Sequence, residues 1–134
     1  MQISRRDHIK VADLGLATFK NRITGTMCGT PLYMAPEVHE GKVYDSKADI
    51  FSFGLMMYEM WFGKRAPLEL RSLTPDGLSR QIHVAAQCRG EGYNAPPEEL
   101  IELMASCCDS DPCLRRTAVE IRDLIKEIKR NYMK

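Results

Sequence analysis

The stretch Ser46-Lys47-Ala48-Asp49-Ile50-Phe51-Ser52-Phe53-Gly54-Leu55-Met56-Met57-Tyr58-Glu59-Met60-Trp61-Phe62-Gly63 decides the fold class. From Ile50 to Phe62 ten of thirteen residues are apolar, and only Ser52, Gly54 and Glu59 interrupt them. Ser46-Lys47-Ala48-Asp49 has the form of a capping box, and Gly63 is the residue type that ends helices in a left-handed conformation. The stretch reads as a helix that is apolar all round. Such a helix belongs in a core or in a membrane, and its thirteen residues fall short of the ~20 that span a bilayer. A fully buried central helix is the expectation.

The elements on either side are weaker. Gln2 to Ala12 gives two short extended runs around the polar turn Arg5-Arg6-Asp7, with Ile9 and Val11 alternating against His8 and Lys10, the pattern of a hairpin. From Asp13 to Tyr44 six Gly and Pro residues recur with no sustained period, which predicts a long irregular segment. Long segments of this kind inside compact domains usually carry function. After the central helix, a weak helical pattern runs from Leu78 to Cys88, with Leu78, Ile82 and Ala85 on one side. A clearer one starts at Pro97-Glu98-Glu99, where proline and acids suit a first turn, and its apolar stripe is Leu100, Leu103, Met104, Cys107 and Cys108. The last helix opens with the capping box Thr117-Ala118-Val119-Glu120 and repeats Ala118, Ile121, Ile125, Ile128 and Tyr132, a stripe read as core packing. The fold class is α+β, mainly α-helical: a short β-hairpin, a functional segment, then four to five helices around the buried one.

The 134 residues carry 19 Lys plus Arg against 18 Asp plus Glu, a net charge of +1, and are 44% hydrophobic. Disorder and fibrous architectures are excluded, and nothing in the overall charge favours nucleic acid or an anionic membrane as partner. The charge is nevertheless uneven, at +2 over residues 1–44, −5 over 45–114 and +4 over 115–134. The basic tail is read as the solvated face of the last helix. An odd count of five cysteines, and an opening from Met1 to Lys10 that is mostly polar and charged, fit a reducing, cytoplasmic compartment. Cys107, Cys108 and Cys113 with His83 or His39 are the alternative metal set, but adjacent cysteines do not easily face one ion and no CxxC pair exists.

Four landmarks stand in order along the chain: Asp13-Leu14-Gly15 after the second strand, Ala35-Pro36-Glu37 closing Gly29-Thr30-Pro31-Leu32-Tyr33-Met34, the apolar helix introduced by Asp49, and Asp111-Pro112 followed by Arg115. Together they resemble the C-terminal lobe of a protein kinase, and the resemblance covers nearly the whole chain. It implies that Asp13 matches the DFG Asp, the oxygen ligand for the magnesium that bridges the ATP phosphates, with Gly15 beside it at the nucleotide. Leu14 replaces the usual Phe as an apolar plug. Glu37 and Arg115 match the buried ion pair that ties the end of the activation segment to the helical base. Asp49 matches the residue that accepts hydrogen bonds from the catalytic-loop backbone, and Met56 and Met60 match the apolar rest of the ATP-anchored hydrophobic column.

In the same resemblance Thr24 and Thr26 are candidate phosphorylation sites, because a phosphate adds nearly two negative charges that pair with Arg and order the loop. Thr30 matches the threonine of Ser/Thr kinases that faces the catalytic Asp and Lys. The run Leu103 to Pro112 with Arg115 and Thr117 looks more like the tyrosine-kinase-like and tyrosine-kinase groups. A tyrosine-kinase-like Ser/Thr kinase reconciles the two, with dual specificity left open. ATP and Mg2+ as cofactors, and a protein substrate and an upstream kinase as partners, are implied for the parent enzyme.

No residue matches the catalytic base. The sequence has no Gly-rich GxGxxG loop, no VAIK-like Lys and no HRD-like motif. Arg5-Arg6-Asp7 is not HRD, since Asp7 stands only six residues before Asp13, whereas the family's catalytic Asp lies well upstream of the hairpin. Residues 1–134 are thus expected to be a partial kinase domain without the N-lobe and catalytic loop, inactive alone. The alternative is a non-catalytic kinase-like interaction module or a decayed kinase remnant. A helix whose usual neighbour is missing should also leave part of its apolar surface uncovered.

Overall fold

The computed structural model describes residues 2–3, 9–10, 33–63, 82 and 96–132. Asp13, Leu14, Gly15, Thr24, Thr26, Thr30 and most of Leu78–Cys88 lie outside them. At the start, β1 (Gln2–Ile3) and β2 (Ile9–Lys10) pair antiparallel, with Gln2 opposite Lys10 and Ile3 opposite Ile9. The described remainder is helical: α1 (Pro36–His39), α2 (Lys47–Phe62), α3 (Glu98–Cys107), a 3-10 turn (Pro112–Leu114) and α4 (Ala118–Tyr132). Ile82 is helical and fully buried.

The central helix starts three residues earlier than the apolar run. Ser46 makes no side-chain cap; instead Asp45 Oδ1 accepts from the Lys47 backbone N–H at 2.7 Å. An aspartate two residues before an orphan N–H serves as well as the capping box the spacing suggests. Gly63 closes the helix at φ +63°, where a residue without Cβ is least strained, and its N–H reaches the Glu59 carbonyl at 2.9 Å.

α2 packs on α3 at a position where only glycine fits. A Cβ on Gly54 would stand 2.7 Å from both Cys107 Cβ and Cys108 Sγ. The core is built around this crossing by Phe51, Leu55 and Tyr58 of α2 with Leu103, Met104 and Cys107 of α3. Burial pushes the Cys107 thiol up to about 12 and raises that of Cys108 further, so both behave as small apolar packing groups. Among the described residues no cluster of three potential metal ligands forms.

Two expectations need correction. α2 is not buried on every side: Met60 is 52% and Trp61 40% exposed, and Phe53 and Met56 are half-buried. The last stripe is core only in part. Ile121 is buried and Leu124 and Ile128 pack against the core, whereas Ile125 and Tyr132 are exposed. Phe53 and Met56 of α2 and Ile125 of α4 line a groove of about 480 Å³ between the two helices. The capping box of α4 does form, with Glu120 Oε2 accepting from the Thr117 N–H at 2.6 Å and Thr117 Oγ1 from the Glu120 N–H at 3.3 Å. The Thr117 N–H and, at 2.9 Å, the Thr117 hydroxyl donate to the Glu120 carboxylate and hold it below its ordinary range.

Candidate functional site: the buried anchor of α1

Ala35-Pro36-Glu37 starts α1 in the way its residue types dictate. Ala35 is extended, which is the conformation a residue before proline prefers, and Pro36 takes the first helical position, where its missing N–H is no loss. Only four residues long, the helix cannot hold itself by propensity. It is held by Glu37, which is 6% exposed and points inward.

Glu37 meets Arg115 in a fork-to-fork pair, with Nη1 donating to Oε1 at 2.6 Å and Nη2 to Oε2 at 2.8 Å. Arg115 is 2% exposed, and its other bonds explain how a buried guanidinium is tolerated. Nε donates to the Asp109 carbonyl at 2.8 Å, and Nη1 makes a second bond to the Lys47 carbonyl at 2.9 Å. The plane also lies over Phe51, with Cζ 5.1 Å from the ring centroid. One residue therefore ties α1, the start of α2 and the loop after α3 together.

The Asp-Pro that precedes Arg115 has a local role. Asp109 Oδ1 accepts from the Asp111 N–H and Asp111 Oδ1 from the Cys113 N–H, both at 2.9 Å, and together they fold the 3-10 turn that delivers Arg115 into the core. Tyr33, just before α1, docks on α2 independently. Its hydroxyl donates to the Glu59 carboxylate at 2.8 and 3.0 Å, and Ser52 Oγ donates to its carbonyl at 2.7 Å. Neither contact carries a sequence signal of its own, because the two polar interruptions of the apolar helix, Ser52 and Glu59, look like noise until Tyr33 is laid across them.

Asp49, Met56 and Met60 lie on the other side of α2. Asp49 lines the α2–α4 groove with Phe53, Met56, Ile121 and Ile125, and burial raises the pKa of its carboxyl. The structure brings Asp49 and Met56 into one groove, whose lining includes neither Glu37 nor Arg115.

A family model described as the protein kinase domain matches residues 1–125. The chain belongs to the protein kinase family. Among curated kinases it is 50% identical over 119 residues to the putative serine/threonine-protein kinase/receptor R831 of Acanthamoeba polyphaga mimivirus, covering 85% of this chain and 7% of that protein. It is 35% identical over 133 residues to the dual specificity protein kinase pyk3 of Dictyostelium discoideum, covering 95% of this chain and 9% of that one. The serine/threonine-protein kinase STY17 of Arabidopsis thaliana is 35% identical over 126 residues, covering 90% of this chain and 21% of its own length. This kinase chain thus spans a quarter or less of the length of each of these relatives. Among its described residues no helix is long and apolar enough to cross a membrane.

Proposed function

We propose that the chain is the activation-segment and helical-base part of a Ser/Thr protein kinase domain of the tyrosine-kinase-like group, whose parent transfers the ATP γ-phosphate to protein hydroxyls. One observation carries this reading: the bidentate Glu37–Arg115 pair, which fastens the end of the Asp13–Glu37 segment to the base of the lobe. Curated relatives of both Ser/Thr and dual-specificity type support the substrate class, with protein hydroxyls as acceptors.

In this reading the segment is held at both ends. Asp13 would supply a carboxylate to Mg2+ with Gly15 beside it at the nucleotide, and Leu14 would stand in for the usual Phe as the apolar plug. When bound, Mg2+ neutralises charge on the phosphates. Thr24 and Thr26 would be the positions for phosphorylation by an upstream kinase, and Thr30 would be the threonine that faces the catalytic Asp and Lys of the parent enzyme. Asp49 receives the backbone of the catalytic loop, and Met56 and Met60 support the hydrophobic column. The half-covered groove beside Asp49 agrees with this, since a carboxyl in apolar surroundings gains most from hydrogen-bond donors.

The chain carries no match to the Gly-rich loop, the β3 Lys or the HRD base. Phosphoryl transfer rests on those parts being positioned together, so this cytoplasmic chain alone transfers no phosphate. The same absence favours a second reading, a non-catalytic kinase-like module or a decayed kinase remnant. The two separate on the nucleotide sequence upstream of Met1. An open reading frame encoding HRD and a Gly-rich loop, whose product phosphorylates protein and loses that activity on Asp13→Ala, supports the first; its absence overturns it.

A further inference from the structure

Lys47 occupies the first position of α2, where a cation faces the positive end of the helix dipole. Considered as a helix start alone, it is the wrong charge. Its ammonium group does something else: Nζ donates to the Arg115 carbonyl, 68 residues along the chain. That carbonyl follows the 3-10 turn in extended backbone and accepts from no backbone N–H among the described residues. In the opposite direction, Arg115 Nη1 donates to the Lys47 carbonyl at 2.9 Å. Each side chain therefore bonds the other residue's main chain.

We infer that Lys47 is a positioning residue of the activation-segment anchor, fixing the main chain of Arg115 so that its guanidinium stays aimed at Glu37. The guanidinium is fixed by Glu37 and by the Asp109 and Lys47 carbonyls, and the Arg115 N–H by the Pro112 carbonyl at 3.3 Å, which leaves the peptide group after Arg115 as the part of its main chain still to be held. The Lys47 ammonium holds that group through its carbonyl. For the activation segment the inference rests on the kinase reading, whereas the clasp itself does not.

The test uses the whole 134-residue chain and hydrogen exchange at the Arg115 Nε–H, compared with the slowest backbone amides that report global unfolding. Lys47→Met keeps the aliphatic stem and the carbonyl that Arg115 bonds, and removes only the ammonium. Exchange at Arg115 Nε–H and at the Val38 and His39 amides is expected to quicken about tenfold or more relative to the global amides, the loss of one charge-assisted hydrogen bond. Lys47→Arg is expected to restore the slow rate. Equal quickening at all amides, as a purely structural lysine would give, overturns the inference, and so does no change. In the unaltered chain a scalar coupling across the hydrogen bond from Lys47 Nζ to the Arg115 carbonyl carbon is expected, and its absence overturns the inference even if Lys47→Met fails to fold. Neither readout involves ATP, so a failed kinase assay leaves this test intact.

Discussion

The two sides of α2 are built differently. On one side Phe51, Gly54, Leu55 and Tyr58 close against α3, and the polar groups that reach this side are matched, down to four hydrogen bonds on the Arg115 guanidinium. On the other, Asp49, Phe53 and Met56 line a groove and Met60 is mostly exposed. A buried charge is tolerable only when fully paired. The closed side therefore anchors α1 by itself, whereas the groove side presents apolar surface and a carboxyl whose pKa burial has raised.

Substitutions should reproduce that asymmetry. The largest effect is expected from Arg115→Met, which leaves Glu37 buried and unpaired and should cost roughly 3 to 5 kcal/mol in urea unfolding. An effect below about 1 kcal/mol, the size of a surface ion pair, would mean that water reaches the pair. Next comes Gly54→Ala, which forces a methyl group against Cys107 and Cys108 and should cost about 1 to 3 kcal/mol, partly recovered in the double variant with Cys108→Ala. Thr117→Ala removes the hydroxyl from the α4 cap, for about 1 kcal/mol, and should return the Glu120 titration only part of the way to its ordinary range by NMR, because the backbone N–H of residue 117, the larger cause of the shift, stays. The smallest effect is expected on the groove side, where Met60→Gln should change stability by no more than about 0.5 kcal/mol.

The pH dependence divides the same way. The Asp49 carboxyl titrates above its unfolded value, so its contribution favours the fold increasingly as pH falls through that raised pKa. Glu120 titrates below its unfolded value, so its contribution is present above the unfolded pKa and is lost as pH falls through the folded one. Asp49→Asn should therefore remove a contribution that favours acid, and Thr117→Ala part of one that favours neutral pH, as read from unfolding midpoints between about pH 3 and 7.

How far the sequence could be read follows from how local each signal is. The helix body Ile50–Phe62, its Gly63 stop and the Thr117–Glu120 capping box are written in consecutive residues and could be read directly, whereas the start of that helix at Lys47 and its lack of a Ser46 side-chain cap could not. The pairing of Glu37 with Arg115 joins positions 78 apart, and only the family resemblance could name it in advance. Lys47 was legible only as part of a helix start, because its side-chain partner depends on where the 3-10 turn delivers Arg115. The expectation of burial all round α2 failed for a related reason. Apolar composition tells what a face prefers to touch, and it is silent on whether a neighbour stands there.

The most direct test of the account is radiolabelled ATP turnover by the purified 134-residue chain, with a general protein substrate and Mg2+. A chain with an anchored segment and no match to the HRD base or the Gly-rich loop should transfer no label above background, with or without Asp13→Ala. Transfer that Asp13→Ala abolishes would contradict it.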